Sequence, residues 1–181
     1  MEHQIVIAGF GGQGVMSMGQ LMTYAGMVED KQVSYLPSYG PEMRGGTANC
    51  NVIISDQPVG SPVITEATCL MALNRPSLEK YEPMVVPGGI VIVNSSLIDI
   101  PCSREDVDCY YIPANEMALE MGNTRVANII MLGAYLKLTD AVHPEDVLKA
   151  LPKVLGESKA KLIPINREAL ARGAKFIEEG K

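Results

Sequence analysis

Gln4-Ile5-Val6-Ile7-Ala8-Gly9-Phe10-Gly11-Gly12-Gln13-Gly14-Val15 is the stretch from which the rest of the chain is read. Ile5 to Ala8 is a continuous apolar run, as in a strand buried on both faces. Glycines at 9, 11 and 14 break the run. Val15, Met18, Met22 and Ala25 then fall on one stripe of a helix that starts near Gly12 and ends near Glu29. Strand, glycine loop and helix, in that order, form the context that the spacing G-x-G-x-x-G requires. Glycine lets the backbone turn tightly and approach a ligand, and the helix N-terminus offers unpaired N–H groups and positive dipole potential. A pyrophosphate is the natural occupant. The plain alternative is a strand-to-helix turn that packs closely and binds nothing.

Working outward, a second strand fits Gln32 to Leu36. A dinucleotide enzyme wants an acid at the end of that strand, about 20 residues beyond the glycines, to hold the ribose hydroxyls. Leu36-Pro37-Ser38 stands there instead, and Glu29 and Asp30 precede the strand. The loop is therefore a phosphate cradle without a nicotinamide address. Pro37 to Gly46 predicts a second loop, which in an open α/β sheet lies at the same carboxyl edge as the first. There Arg44 either presents its planar fork to a phosphate or bonds loop carbonyls and Glu42. From Thr47 the pattern alternates, with Ala48, Cys50, Val52 and Ile54 facing one way and Thr47, Asn49 and Asn51 the other. That predicts a strand with one wet face, at an edge or in an antiparallel pair.

Further strands are expected at Thr68 to Leu73, Ile90 to Val93 (after Pro87-Gly88-Gly89) and Asp108 to Ile112, with a short helix opened by Asn74-Arg75-Pro76-Ser77 and running to Tyr81. Helices follow at Ala114–Met121, Arg125–Leu138, Pro144 to about Leu155, and Arg167–Glu179 with Asn166 as N-cap. Pro152 predicts a kink or break. Gly19 and Gly26 would let the first helix sit close to a neighbour. The sum is one α/β domain over residues 1–181: three-layer and Rossmann-like, with a mostly parallel, mixed sheet and a helical C-terminal third.

Composition narrows the functions. Among 181 residues, 15 Lys and Arg stand against 21 Asp and Glu, a net charge of −6 that draws nothing toward nucleic acid. Apolar runs fall far short of the roughly 20 residues that cross a bilayer, and the first residues lack a basic signal region, so a cytoplasmic chain is expected. Cys50, Cys69, Cys102 and Cys109 contain no C-x-x-C pair and read as small buried hydrophobes. His3 and His143 stand apart from any partner at metal or triad spacing, and no G-x-S-x-G elbow exists. Asn123-Thr124-Arg125 either lines a site or simply caps the helix that follows. Met16, Met18, Met22 and Met27 fill a core or an interface. Lys149, Lys153, Lys159, Lys161 and Lys175 read as a solvated face.

The glycine loop together with Ser38-Tyr39-Gly40-Pro41-Glu42-Met43-Arg44-Gly45-Gly46 resembles the gamma subunit, or gamma domain, of the 2-oxoacid:ferredoxin oxidoreductases. The likeness extends through Ile54-Ser55-Asp56, Ser61-Pro62, Ala72-Leu73-Asn74 and Ala127-Asn128-Ile129-Ile130-Met131-Leu132-Gly133-Ala134. It implies a complex that converts a 2-oxo acid and coenzyme A to acyl-CoA and CO2 and reduces ferredoxin, with 2-oxoglutarate or a branched-chain 2-oxo acid favoured over pyruvate. It also implies that thiamine diphosphate, Mg and iron–sulfur clusters sit on alpha, beta and ferredoxin-like partner chains, and that this chain is inactive alone. The contacts it implies here, on the CoA side, are Gly11, Gly12, Gln13, Gly14, Ser38, Tyr39, Arg44 and Gly45, with no catalytic or metal-binding residue. A homodimer of the isolated chain is compatible with the Met-rich surface. A stand-alone nucleotide-binding oxidoreductase and a non-catalytic assembly module are the competing readings.

Overall fold

The computed structural model describes residues 1–38 and 47–180. The described residues form a sheet of six strands in the order β2-β3-β1-β4-β5-β6, where β1 is Glu2–Phe10, β2 Gln32–Ser38, β3 Thr47–Ser55, β4 Ala67–Ala72, β5 Val85–Asn94 and β6 Asp108–Ile112. β1, β4, β5 and β6 pair in parallel, whereas β3 runs antiparallel to both β1 and β2. The expected mixed, mostly parallel sheet is the one observed. Ile5 and Ile7 enter the apolar cluster on one face, Val6 and Ala8 the cluster on the other, so the run has no polar side to show. The alternation in β3 is also present, with Ala48, Cys50, Val52 and Ile54 buried and Thr47, Asn49 and Asn51 only partly so.

Helices α1 (Val15–Val28), α3 (Ala114–Glu120), α4 (Ala127–Thr139), α5 (Pro144–Leu155) and α6 (Ile163–Glu178) contribute to the larger cluster, and α2 (Arg75–Tyr81) to the smaller one. α1 lies close on the sheet where its glycines allow it. A Cβ on Gly19 would come within 2.6 Å of Cys50 Sγ, and one on Gly26 within 2.7 Å of a Val33 methyl. Met18 and Met22 are fully buried, whereas Met27 is exposed. α4 is buried on nearly every side, which explains its uninterrupted apolar sequence. It meets α6 backbone to backbone: a Cβ on Gly173 would stand 1.9 Å from the Ile130 carbonyl oxygen, and one on Gly133 2.2 Å from that of Leu170. No described helix is long and apolar enough to cross a membrane.

Four expectations are corrected. Pro37 and Ser38 belong to β2, opposite Cys50 and Asn49. β2 is an edge strand, where a missing N–H is tolerated. Pro87 to Gly89 do not precede β5 but bulge within it, as the register jumps from Ala67 opposite Val85 to Cys69 opposite Ile90. α5 continues unbroken through Pro152 and ends at Gly156 (φ 98°), because the proline sits in the last turn and removes a single helical hydrogen bond. Asn166 is not an N-cap. It lies buried inside α6 and donates to the Leu162 carbonyl at 2.8 Å, with Pro164 in the first turn.

Candidate functional site

After β1 the chain passes to α1 on one face of the sheet, and after β4 to α2 on the other. β1 and β4 are neighbours, Ala8 opposite Ala72, and the Leu73 N–H extends the pairing to the Ala8 carbonyl at 2.9 Å. Adjacent parallel strands whose connections leave toward opposite faces open a crevice at their carboxyl ends, where α/β proteins bind ligands.

The glycine loop is built into that crevice. A Cβ on Gly9 would meet Gln13 Oε1 at 2.5 Å and Leu73 Cβ at 2.9 Å, so only glycine exits the strand this tightly. The Gln13 carboxamide bolts the turn in place: its oxygen accepts from the Phe10 N–H at 2.5 Å and its nitrogen donates to the Leu73 carbonyl at 3.0 Å. Gly14 caps α1 in the left-handed region (φ 79°, ψ 22°). Asn128 donates to the Gly14 carbonyl at 3.3 Å, and its amide nitrogen lies 2.3 Å from where a Gly14 Cβ would be. The first turn of α4 is thereby tied to the glycine loop.

Between these parts lies a cleft of about 550 Å³. Gly12, Gln13, Gly14 and Ser17 form one wall, Thr124 to Ile129 another, and Leu155, Lys159, Leu162 and Ile165 the outer rim. Asn94 and Asn115, joined at 2.8 Å, line its inner side. The first amides of α1 lie outside its intrahelical ladder, the Ile129 N–H in the first turn of α4 donates to Asn128 Oδ1 at 3.0 Å, and neither helix carries an acid in its first turn to neutralise the terminal potential. Arg125 and Lys159 form no ion pair among the described residues. Two helix N-termini and two uncommitted cations thus face one cleft of a chain whose net charge is −6. That arrangement suits a phosphorylated ligand with an apolar portion.

Of the residues singled out in sequence, Gly12, Gln13 and Gly14 line the cleft. Gln13 does so with its polar atoms spent on the loop itself. Gly11 and Ser38 are exposed, outside the lining. Ser38 still shares the edge, since β3, which begins opposite Phe10, pairs with it at Asn49. Tyr39, Arg44 and Gly45 lie outside the described residues. Asn123-Thr124-Arg125 does both things considered for it, because Asn123 accepts from the Arg125 N–H at 3.0 Å and the turn lines the cleft. Lys159 is exposed, as its solvated reading expects, and also lines the cleft. Lys149 pairs with Asp146, and the Lys153 ammonium sits 6.0 Å from the centre of the Tyr24 ring. Asn128, which holds the two walls together, stands in the sequence only within the family-like stretch 127–134, with no role of its own read there.

The donor set does not fit a metal centre. Among the described residues no group of three or more His, Cys, Asp or Glu could hold a metal ion. Cys50 and Cys69 are buried, and burial pushes the Cys50 thiol up to about 12 and that of Cys69 further, so neither supplies a thiolate.

The family model described as pyruvate ferredoxin/flavodoxin oxidoreductase matches residues 4–176. The chain belongs to this family. The ketoisovalerate oxidoreductase subunit VorA of Methanothermobacter thermautotrophicus is 39% identical over 178 residues, which are 98% of this chain and 37% of that longer relative. The 2-oxoglutarate synthase subunit KorC of Methanocaldococcus jannaschii is 36% identical over 154 residues, 83% of this chain and 82% of the relative. Among solved structures, the gamma subunit of a keto/oxoacid ferredoxin oxidoreductase from Geobacter sulfurreducens matches with a TM-score of 0.79 and 31% identity over 96% of each chain. As a member of the oxidoreductase family, the chain shares its overall fold with that solved gamma subunit.

Proposed function

We propose that residues 1–181 act as one gamma unit of a 2-oxoacid:ferredoxin oxidoreductase and that the cleft takes the diphosphate of coenzyme A. The observation that carries this reading is the convergence of the glycine turn, the N-termini of α1 and α4, Arg125 and Lys159 on one cavity. Main-chain amides and a guanidinium hold diphosphate oxygens, and the leucine and isoleucine side chains on the rim cover the apolar arm that leads to the thiol. Gly11 and Ser38 stand exposed at the same sheet edge, and Tyr39, Arg44 and Gly45 are carried as further CoA contacts from the sequence alone. Thiamine diphosphate supplies the carbanion chemistry and iron–sulfur clusters the electron transfer on alpha, beta and ferredoxin-like chains, and no step of either is assigned to this one. The more similar relatives are named for ketoisovalerate and 2-oxoglutarate, the two donors that the sequence of the second loop favours, and more distant ones for pyruvate.

The test uses the complex of this chain with its alpha, beta and ferredoxin-like partners. Arg125→Ala and Lys159→Ala should each raise the KM for CoA about ten-fold, leave the KM for the 2-oxo acid unchanged, and weaken the dependence of CoA affinity on salt. An unchanged KM for CoA in both variants overturns the placement. Calorimetry on the chain itself decides between CoA and a nicotinamide: NADH binding without CoA binding would replace this reading with the stand-alone oxidoreductase.

A further inference from the structure

Away from the cleft, β6 closes the far edge of the sheet, and the segment that precedes it folds back across the smaller apolar cluster. Cys102 and Cys109 sit there, both partly exposed and both packed on that cluster. The Cys102 N–H donates to the Tyr111 hydroxyl at 3.0 Å, and Tyr111 stands two residues beyond Cys109 on the same side of the strand. That bond folds the turn so that the two thiols meet and hydrogen-bond, with the Tyr111 hydroxyl also reaching Cys109. Ser103, the next residue, is anchored through its N–H to the Glu82 carboxylate at 3.1 Å, and Arg104 donates to the Glu82 and Val85 carbonyls at 2.9 and 2.8 Å. The turn is thus held from both sides with its cysteines face to face. Burial first, and the neighbouring Cys102 next, push the Cys109 thiol up to about 12. Cys50 and Cys69 offer nothing comparable, being buried within the other cluster.

We propose that Cys102 and Cys109 are a redox modification site, a dithiol that closes to an intramolecular disulfide on reaction with a small-molecule disulfide. The thiolate of one cysteine of the pair attacks one sulfur of that disulfide and releases the first small thiol. The other cysteine then gives up its proton, attacks the protein sulfur of the mixed disulfide and releases the second. Two electrons pass from the pair to the small disulfide, and the two protons leave on the two small thiols. Closure fixes the turn before β6 to the strand, and a dithiol reductant reopens it.

The experiment incubates the full chain, natively folded, with glutathione disulfide, alkylates the remaining thiols, and reads the intact mass and the peptide map. The expected result is loss of two of the four thiols, a protein lighter by two hydrogens before alkylation, no glutathione adduct, a Cys102–Cys109 cross-linked peptide, and full reversal by dithiothreitol. Cys109→Ser should instead retain glutathione on Cys102, and Cys50→Ser should behave as the unaltered chain. A persistent glutathione adduct on the unaltered chain, four thiols still free, or any other cysteine pairing overturns the proposal. The measurement on the unaltered chain decides alone if a variant does not fold.

Discussion

Two regions of this molecule depend on glycine for opposite reasons. At the exit of β1, Gly12 has nothing within 4 Å of a would-be Cβ, and its demand is conformational, a φ of 89°. At the crossing of α4 and α6, Gly133 and Gly173 have no unusual φ, and their demand is spatial, because each helix presses on the main chain of the other. The first kind costs torsional strain when replaced and leaves the packing intact. The second forces apart two helices whose contact surface is main chain and cannot rotate out of the way. Gly14 belongs to both kinds, with φ 79° and the Asn128 amide at 2.3 Å.

The largest effect is therefore expected at the crossing. Alanine is the better helix former by about 1 kcal/mol. Gly173→Ala should nevertheless destabilise by about 3 kcal/mol, lowering the melting temperature by roughly 10 °C, because overpacking against fixed backbone outweighs propensity. A melt no lower than that of the unaltered chain would break the contrast. Gly14→Ala should cost about 2 kcal/mol, combining left-handed strain with displacement of Asn128. In an Asn128→Ala background the same change should cost only the torsional part, so a double-mutant cycle by chemical denaturation should show coupling of about 1 kcal/mol. Gly12→Ala should cost about 1 kcal/mol while weakening CoA binding more than it weakens the fold, read by melting and calorimetry side by side. Exposed Gly60, with open space around it and no positive φ, sets the baseline: Gly60→Ala should fall within about 0.5 kcal/mol of the unaltered chain.

The same contrast separates what the sequence discloses from what it hides. Gly9, Gly11 and Gly14 announce themselves because strand, turn and helix are adjacent in the chain, and the pattern is complete within a dozen residues. The alternation of Ala48, Cys50, Val52 and Ile54 likewise shows a strand at an edge or in an antiparallel pair, and the second is the one observed. Gly133 and Gly173 say nothing until two helices are laid across one another, and no local pattern records which residues cross. Lys159 is similar: it reaches the cleft because Gly156 turns the chain at φ 98° after α5, whereas in sequence it is one lysine among several. Pro152 and Asn166 misled in the reverse direction. Each is a strong local signal, and each is overruled where the last turn of a helix or the carbonyl of Leu162 accommodates it.

The crossing at Gly173 also bears on the order in which the site comes into being. Ile165 and Asn166, which line the cleft, arrive on the same helix that must seat against α4. A ribosome that has released the glycine turn and the whole sheet has still not delivered this wall. Until residues 163–178 emerge, the glycine turn stands without this wall, and the cleft is complete only once α6 has docked on α4.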